Sequence, residues 1–84
     1  MPTYHVYILV CADKTLYVGS TQDLLKRLHQ HNNLKSGAHY TKIRRPVTLV
    51  YKEEVESFTE ARRREAEIKR MKREEKMKLI KNFK

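Results

Sequence analysis

Residues 4–11 read YHVYILVC and residues 16–19 read LYVG, and these two stretches decide the fold. Both are rich in β-branched and aromatic residues, and Asp13-Lys14 between them offers a turn, so together they read as a β-hairpin. Successive side chains alternate across a strand. His5, Tyr7, Leu9 and Cys11 therefore share one face of the first strand, and Thr15, Tyr17 and Gly19 share one face of the second. If the loop holds an odd number of residues, odd positions pair with odd, and Tyr7 and Tyr17 become diagonal neighbours on one face. Val6, Ile8 and Val10 then join Leu16 and Val18 on the other, more apolar face. A one-residue slip separates the tyrosines, so their meeting depends on register.

Outward from the hairpin, Ser20 with Asp23 three residues on resembles a capping box that opens a helix. Leu24, Leu25 and Leu28 give that helix an apolar stripe, and Asn32-Asn33 ends it. Ser36-Gly37 marks a loop, and His39 to Arg44 suggests a short helical turn that Pro46 stops. Val47, Leu49 and Tyr51 alternate with Thr48, Val50 and Lys52, which predicts a third strand running to about Glu54. Ser57 or Thr59 can cap a final helical region, with Glu60 placed to complete a box from Ser57. Its apolar positions are Ala61, Ala66, Ile68, Met71, Met77 and Ile80; no Gly or Pro decides whether it breaks near Lys72-Arg73. The order β-β-α-(α)-β-α-α predicts a small α/β domain of the α+β type. A three-stranded, mostly antiparallel sheet is flanked by helices, in a single domain over residues 1–84.

Charge narrows the function. The 84 residues carry 19 Lys and Arg against 10 Asp and Glu, a formal net charge of +9. Residues 59–84 hold 11 of the basic and 5 of the acidic side chains. Pairs at i,i+4 such as Glu60–Arg64, Glu65–Lys69 and Glu74–Lys78 absorb only part of that excess. Such a tail attracts polyanions, because each neutralised phosphate releases condensed counterions. A membrane surface fits less well, since Phe83 is the tail's one aromatic anchor. No apolar run approaches the ~20 residues that span a bilayer, and no signal-peptide pattern opens the chain. Cys11 is the one cysteine, which excludes an internal disulfide and fits a reducing, cytoplasmic setting.

Several side chains could do chemistry, and each also has a plain structural reading. Tyrosine is a good strand residue whose hydroxyl often sits at a rim. Arg27 and His31, four residues apart, share a helix face that starts just after Gly19. The guanidinium fork suits a phosphate, and the imidazole suits proton handling; the plain reading is an exposed Arg with an incidental His. Glu65 follows Arg62-Arg63-Arg64, a setting that favours its ionised form. One carboxylate with waters and a substrate phosphate is a common way to hold Mg²⁺; the plain reading is a salt bridge to Lys69.

Taken in order, these residues resemble the GIY-YIG nuclease family. His5-Val6-Tyr7 and Tyr17-Val18-Gly19, nine residues apart, stand where that family has its paired GIY and YIG elements. Ser20-Thr21 follows, then Arg27 with His31 as R-x-x-x-H, then Glu65 in an E-A-x-x-x-E run starting at Glu60. Gly37-Ala38-His39-Tyr40-Thr41 and Arg44-Arg45-Pro46 look like the short stand-alone bacterial members. The first triplet departs from the family name, with His-Val in place of Gly-Ile, and keeps the tyrosine.

The resemblance implies hydrolysis of DNA phosphodiester bonds with one divalent metal ion, Mg²⁺ or Mn²⁺, in DNA repair or recombination. Glu65 would hold the metal. Tyr7 would act as general base or nucleophile-positioning hydroxyl, and Tyr17 would orient the attacking water. Arg27 would stabilise charge on the phosphate, and His31 would assist proton transfer or contact the phosphate. Gly19 would leave room for backbone or metal-bound water, where a Cβ would intrude. Lys42, Arg44, Arg45, Arg62, Arg63 and Lys69 are candidate nucleic-acid contacts, and a monomer is the default state. The rival expectation is a nucleic-acid-binding accessory protein with little or no cleavage; an interaction module for an acidic protein is a further one.

Overall fold

Residues 3–33 and 43–83 are described by a computed structural model of the chain. The first strand, β1 (Tyr4–Val10), lies between β2 (Leu16–Thr21) and β3 (Thr48–Val55), and all pairings are antiparallel. Helix α1 (Leu24–Asn33) lies between β2 and β3 in the chain; α2 (Phe58–Arg70) and α3 (Arg73–Asn82) follow β3. The architecture is α+β.

β1 is covered on both faces, which is why it reads as a nearly unbroken apolar run. Val6, Ile8 and Val18 pack with Ala61 and Ile68 of α2. Tyr7, Leu9 and Cys11 pack with Val47, and with Leu24 and Leu28 of α1. The sequence predicted one more-apolar face; the sheet instead divides two cores, with helices on either side. Leu24 and Leu28 face the sheet, whereas Leu25 is 80% exposed and leaves the predicted stripe.

The hairpin register is odd with odd: Tyr7 opposes Gly19 and Leu9 opposes Tyr17. It is set by a three-residue loop, Ala12 to Lys14, closed where the Cys11 N–H donates to the Thr15 carbonyl at 2.9 Å. Lys14 takes the left-handed conformation, φ 71°, the shape a three-residue hairpin needs at that position. Asp13 Oδ1 accepts from both the N–H and the hydroxyl of Thr15. Arg44 adds an ion pair to Asp13 Oδ2 at 3.0 Å.

Three local expectations need correction. Helix α1 is capped by Asp23, whose Oδ1 accepts the Lys26 N–H at 3.1 Å, and not by Ser20, which belongs to β2. β3 contains a bulge, because Ile8 opposes Tyr51 while Leu9 opposes Leu49. The alternation changes phase there: Val47 and Leu49 face α1, whereas Tyr51 and Val55 join the α2 side, and Lys52 comes to lie opposite Tyr7. The final helical region does break. Met71 and Lys72 are both extended, and the Lys72 N–H is taken up by Glu75 Oε1. Ser57 caps α2, its hydroxyl accepting the Glu60 N–H at 3.1 Å. Glu60 thus serves the cap, and Arg64 pairs at 2.7 Å with Glu53 across the layer instead of with Glu60. The Ser36-Gly37 loop and most of the turn expected over His39 to Arg44 lie outside the described residues.

Candidate active site

The register brings the two tyrosines to the α1 face of the hairpin, and α1 brings His31 between them. Tyr7 Oη and His31 Nε2 lie 2.8 Å apart in a buried hydrogen bond. The Tyr17 ring meets the imidazole edge-on, with centroids 5.0 Å apart. Gly19 is what lets Tyr7 lie there: a Cβ at this position would fall 2.5 Å from the Tyr7 hydroxyl. The space predicted for water over Gly19 is therefore filled by the phenol itself.

Burial sets the electrostatics of this pair. Tyr7 is 1% and His31 0% exposed, whereas Tyr17 is half-buried and is the tyrosine that reaches the surface. Burial, and then the neighbouring Tyr17, push the Tyr7 hydroxyl up to about 12, although Arg27 works the other way through hydrogen bonding and charge. Burial also drives His31 down to about 4, helped by the positive charges of Arg27 and Arg45. The imidazole is therefore uncharged near neutrality. In the tautomer that carries its proton on Nδ1, Nε2 accepts from Tyr7.

Glu65 approaches from α2, in the other layer, and meets the edge strand β2 at Ser20. Ser20, next to Gly19, points away from Tyr7 and donates to Glu65 Oε1 at 2.6 Å. Lys69 donates to Oε2 at 2.6 Å. Burial alone would raise this carboxyl, but the hydrogen bonds from Lys69 and Ser20, with the charges of Lys69 and Arg62, hold it below its ordinary value. Its negative charge reaches Tyr7 and contributes to that hydroxyl's upward shift. Tyr7, Tyr17, Arg27, His31 and Glu65 thus share one electrostatic neighbourhood, with Glu65 already hydrogen-bonded at both oxygens.

The basic residues divide. Arg45 donates from Nε to the His31 carbonyl and from Nη2 to the Gln30 carbonyl, closing the C-terminal end of α1. Arg44 is held by Asp13. Both are candidate nucleic-acid contacts, and each also has a structural partner. Arg62 and Arg63 are exposed, with Arg62 over the Phe58 ring at 5.8 Å. Lys69 is committed to Glu65. Lys42 lies outside the described residues.

Two residues escaped the sequence reading. Asn32 bonds Val47 in both directions, at 3.1 and 2.8 Å, and so pins the end of α1 that carries His31. Ser20 orients Glu65. Asn32 was read as a helix stop and Ser20 as a cap and a motif neighbour, and their bonding roles were missed because their partners lie 15 and 45 residues away in the chain.

Comparison with known proteins identifies the family of the chain. Residues 3–79 match the family model described as the GIY-YIG catalytic domain. A UPF0213 protein of Syntrophus aciditrophicus is 56% identical over 81 residues, covering 96% of this chain and 93% of that protein. One from Staphylococcus saprophyticus is 50% identical, with 95% and 96% covered. The solution NMR structure of a UPF0213 protein from Bacillus halodurans matches with TM-score 0.60 and 38% identity, over 94% of this chain and 83% of that one. An E. faecalis protein solved by NMR matches with TM-score 0.65 and 32% identity, over 96% and 85%. The paired tyrosines, Arg27, His31 and Glu65 thus stand in a chain that belongs to the GIY-YIG nuclease family.

Proposed function

We propose that the chain is an endonuclease that hydrolyses DNA phosphodiester bonds with one divalent cation, Mg²⁺ or Mn²⁺, in repair or recombination. The observation that carries this reading is the buried Tyr7–His31 hydrogen bond set beside Arg27 and an ionised Glu65. A scaffold needs no such combination.

The donor chemistry fits the cation. Among the described residues no cluster of three or more His, Cys, Asp or Glu is present. A cation here would have one protein ligand, Glu65, with water and substrate oxygens completing its shell, as suits Mg²⁺. When bound, it would supply positive charge against the scissile phosphate. The chain's own residues do the rest. Arg27 neutralises charge developing on the phosphate. Tyr17, half-buried above His31, positions the attacking water. Tyr7 acts as a positioning hydroxyl: it donates to the uncharged His31 Nε2 and so holds the imidazole against Tyr17. A phenol held near 12 keeps its proton in that role. Arg62 and Arg63, both exposed, are the phosphate contacts of this reading.

One observation favours a second reading, a binding protein with little or no cleavage. Both Glu65 oxygens are already hydrogen-bonded, to Ser20 and Lys69. The test is incubation of purified protein with branched, single-stranded and duplex DNA in Mg²⁺ or Mn²⁺, alongside Glu65→Ala. Cleavage that Glu65→Ala loses supports the nuclease. Salt-dependent binding without cleavage, unchanged by the substitution, supports the second reading instead.

A further inference from the structure

Two adjoining hollows flank the start of α1, on the face of the sheet that carries Tyr7. One, about 280 Å³, is lined by Gln22, Asp23, Lys26 and Arg27 among others. The other, about 470 Å³, is lined by His5, Gln22, Asp23, Leu25 and Lys52, with Leu24 and Leu49 as further apolar walls. They share Gln22 and Asp23 and so form one continuous groove.

The two ends differ in chemistry. Lys26 and Arg27 give the first an anion-binding character. In the second, Glu54 stands 3.7 Å from His5 Nε2 and three leucines line the walls, so a phosphate is disfavoured despite Lys52. What suits it is a flat, uncharged group with an apolar face and polar edges. Leu25, 80% exposed, with Leu24 and Leu49, supplies the apolar contact. His5 Nδ1 is buried without a hydrogen-bond partner, a position better tolerated by a bare ring nitrogen than by an N–H. The ring proton then sits on Nε2, and 3.7 Å to Glu54 is too long for it to be used there. The Gln22 amide offers both a donor and an acceptor.

Position adds the third argument. His5 is two residues before Tyr7 on the same face, about 7 Å along the strand, and Lys52 opposes Tyr7 on β3. We infer that this groove is a nucleotide subsite beside the scissile phosphate. Lys26 and Arg27 hold the adjacent phosphate, and the hollow of His5, Leu24, Leu25 and Leu49 takes its base. The inference rests on the nuclease reading above and deepens it, because a base can enter only after leaving the stack. The nucleotide beside the cut must therefore be unpaired.

The test compares thymidine 3′,5′-bisphosphate with its abasic counterpart, deoxyribose 3′,5′-bisphosphate, by NMR titration of the full chain in EDTA. The base-bearing probe is expected to bind at least about tenfold tighter, with shifts at His5, Leu25 and Leu49. Leu25→Ser, at an exposed position that leaves the cores intact, should remove most of that difference. Equal affinity of the two probes, no binding of either, or a preference that Leu25→Ser leaves unchanged would each overturn the subsite. Since no cleavage occurs in EDTA, the result stands apart from the nuclease assay. Base-dependent binding without hydrolysis sinks the enzyme and keeps the subsite; hydrolysis with equal probe affinities does the reverse.

Discussion

Tyr7 and His31 are displaced in opposite directions by the same cause, since burial disfavours the charged form of each. For His31 this has a consequence for stability. An unfolded histidine takes up a proton below about pH 6.5, whereas the folded side chain resists until about 4. Stability is therefore full above pH 6.5 and falls as pH drops through that window, by about 2 kcal/mol at pH 5. Urea unfolding at pH 7 and pH 5 should show that loss, and His31→Asn should show a smaller pH dependence. Gly19 is the other residue with a sharp expectation. A Cβ placed 2.5 Å from the Tyr7 hydroxyl has to displace the ring, so Gly19→Ala should cost about 1–3 kcal/mol in thermal unfolding. Sequence alternation puts both tyrosines on one face only if the loop is odd, and the three-residue loop meets that condition. Alternation does not show what lies over Gly19, since that depends on how the ring packs between layers.

Among the elements, α1 matters most, because it carries both Arg27 and His31. Its cap is Asp23, so Asp23→Ala should lower stability by about 1 kcal/mol in chemical denaturation. Ser20→Ala should leave helix content unchanged and act instead on Glu65, raising its carboxyl toward the ordinary range by removing one donor; NMR titration of Glu65 would read it. Ser20 was expected as the cap with Asp23 as its box partner, yet both residue types cap well and local sequence does not separate them. The partner that decides it, Glu65, is 45 residues away. The bulge in β3 was hidden for a related reason: Val47, Leu49 and Tyr51 alternate correctly in sequence, and only pairing with β1 reveals the extra residue. In the hairpin, Lys14→Gly at φ 71° removes a left-handed strain, and should be neutral or stabilising by up to about 1 kcal/mol.

At the scale of the whole molecule, net charge raises the expectation of a polyanion partner but does not say which cations would meet it. Arg44 and Arg45 looked like a basic patch, yet Asp13 and the end of α1 hold them. Charge can be counted from composition, but ion pairs such as these need the fold. Binding to DNA should weaken steeply with added salt, and Arg62→Ala with Arg63→Ala should flatten that slope more than a substitution at Arg44. Two cores lie on either side of one sheet, with Tyr7 and His31 in one layer and Glu65 bonded to Ser20 of β2 in the other. The central claim is that these groups act together on a phosphodiester. Single-turnover cleavage of an end-labelled DNA in Mn²⁺ by the wild type, Tyr7→Phe and His31→Asn tests it most directly. The account predicts cutting by the wild type and a loss of at least about 100-fold in each variant. Undiminished cutting by Tyr7→Phe, or none by the wild type, would contradict it.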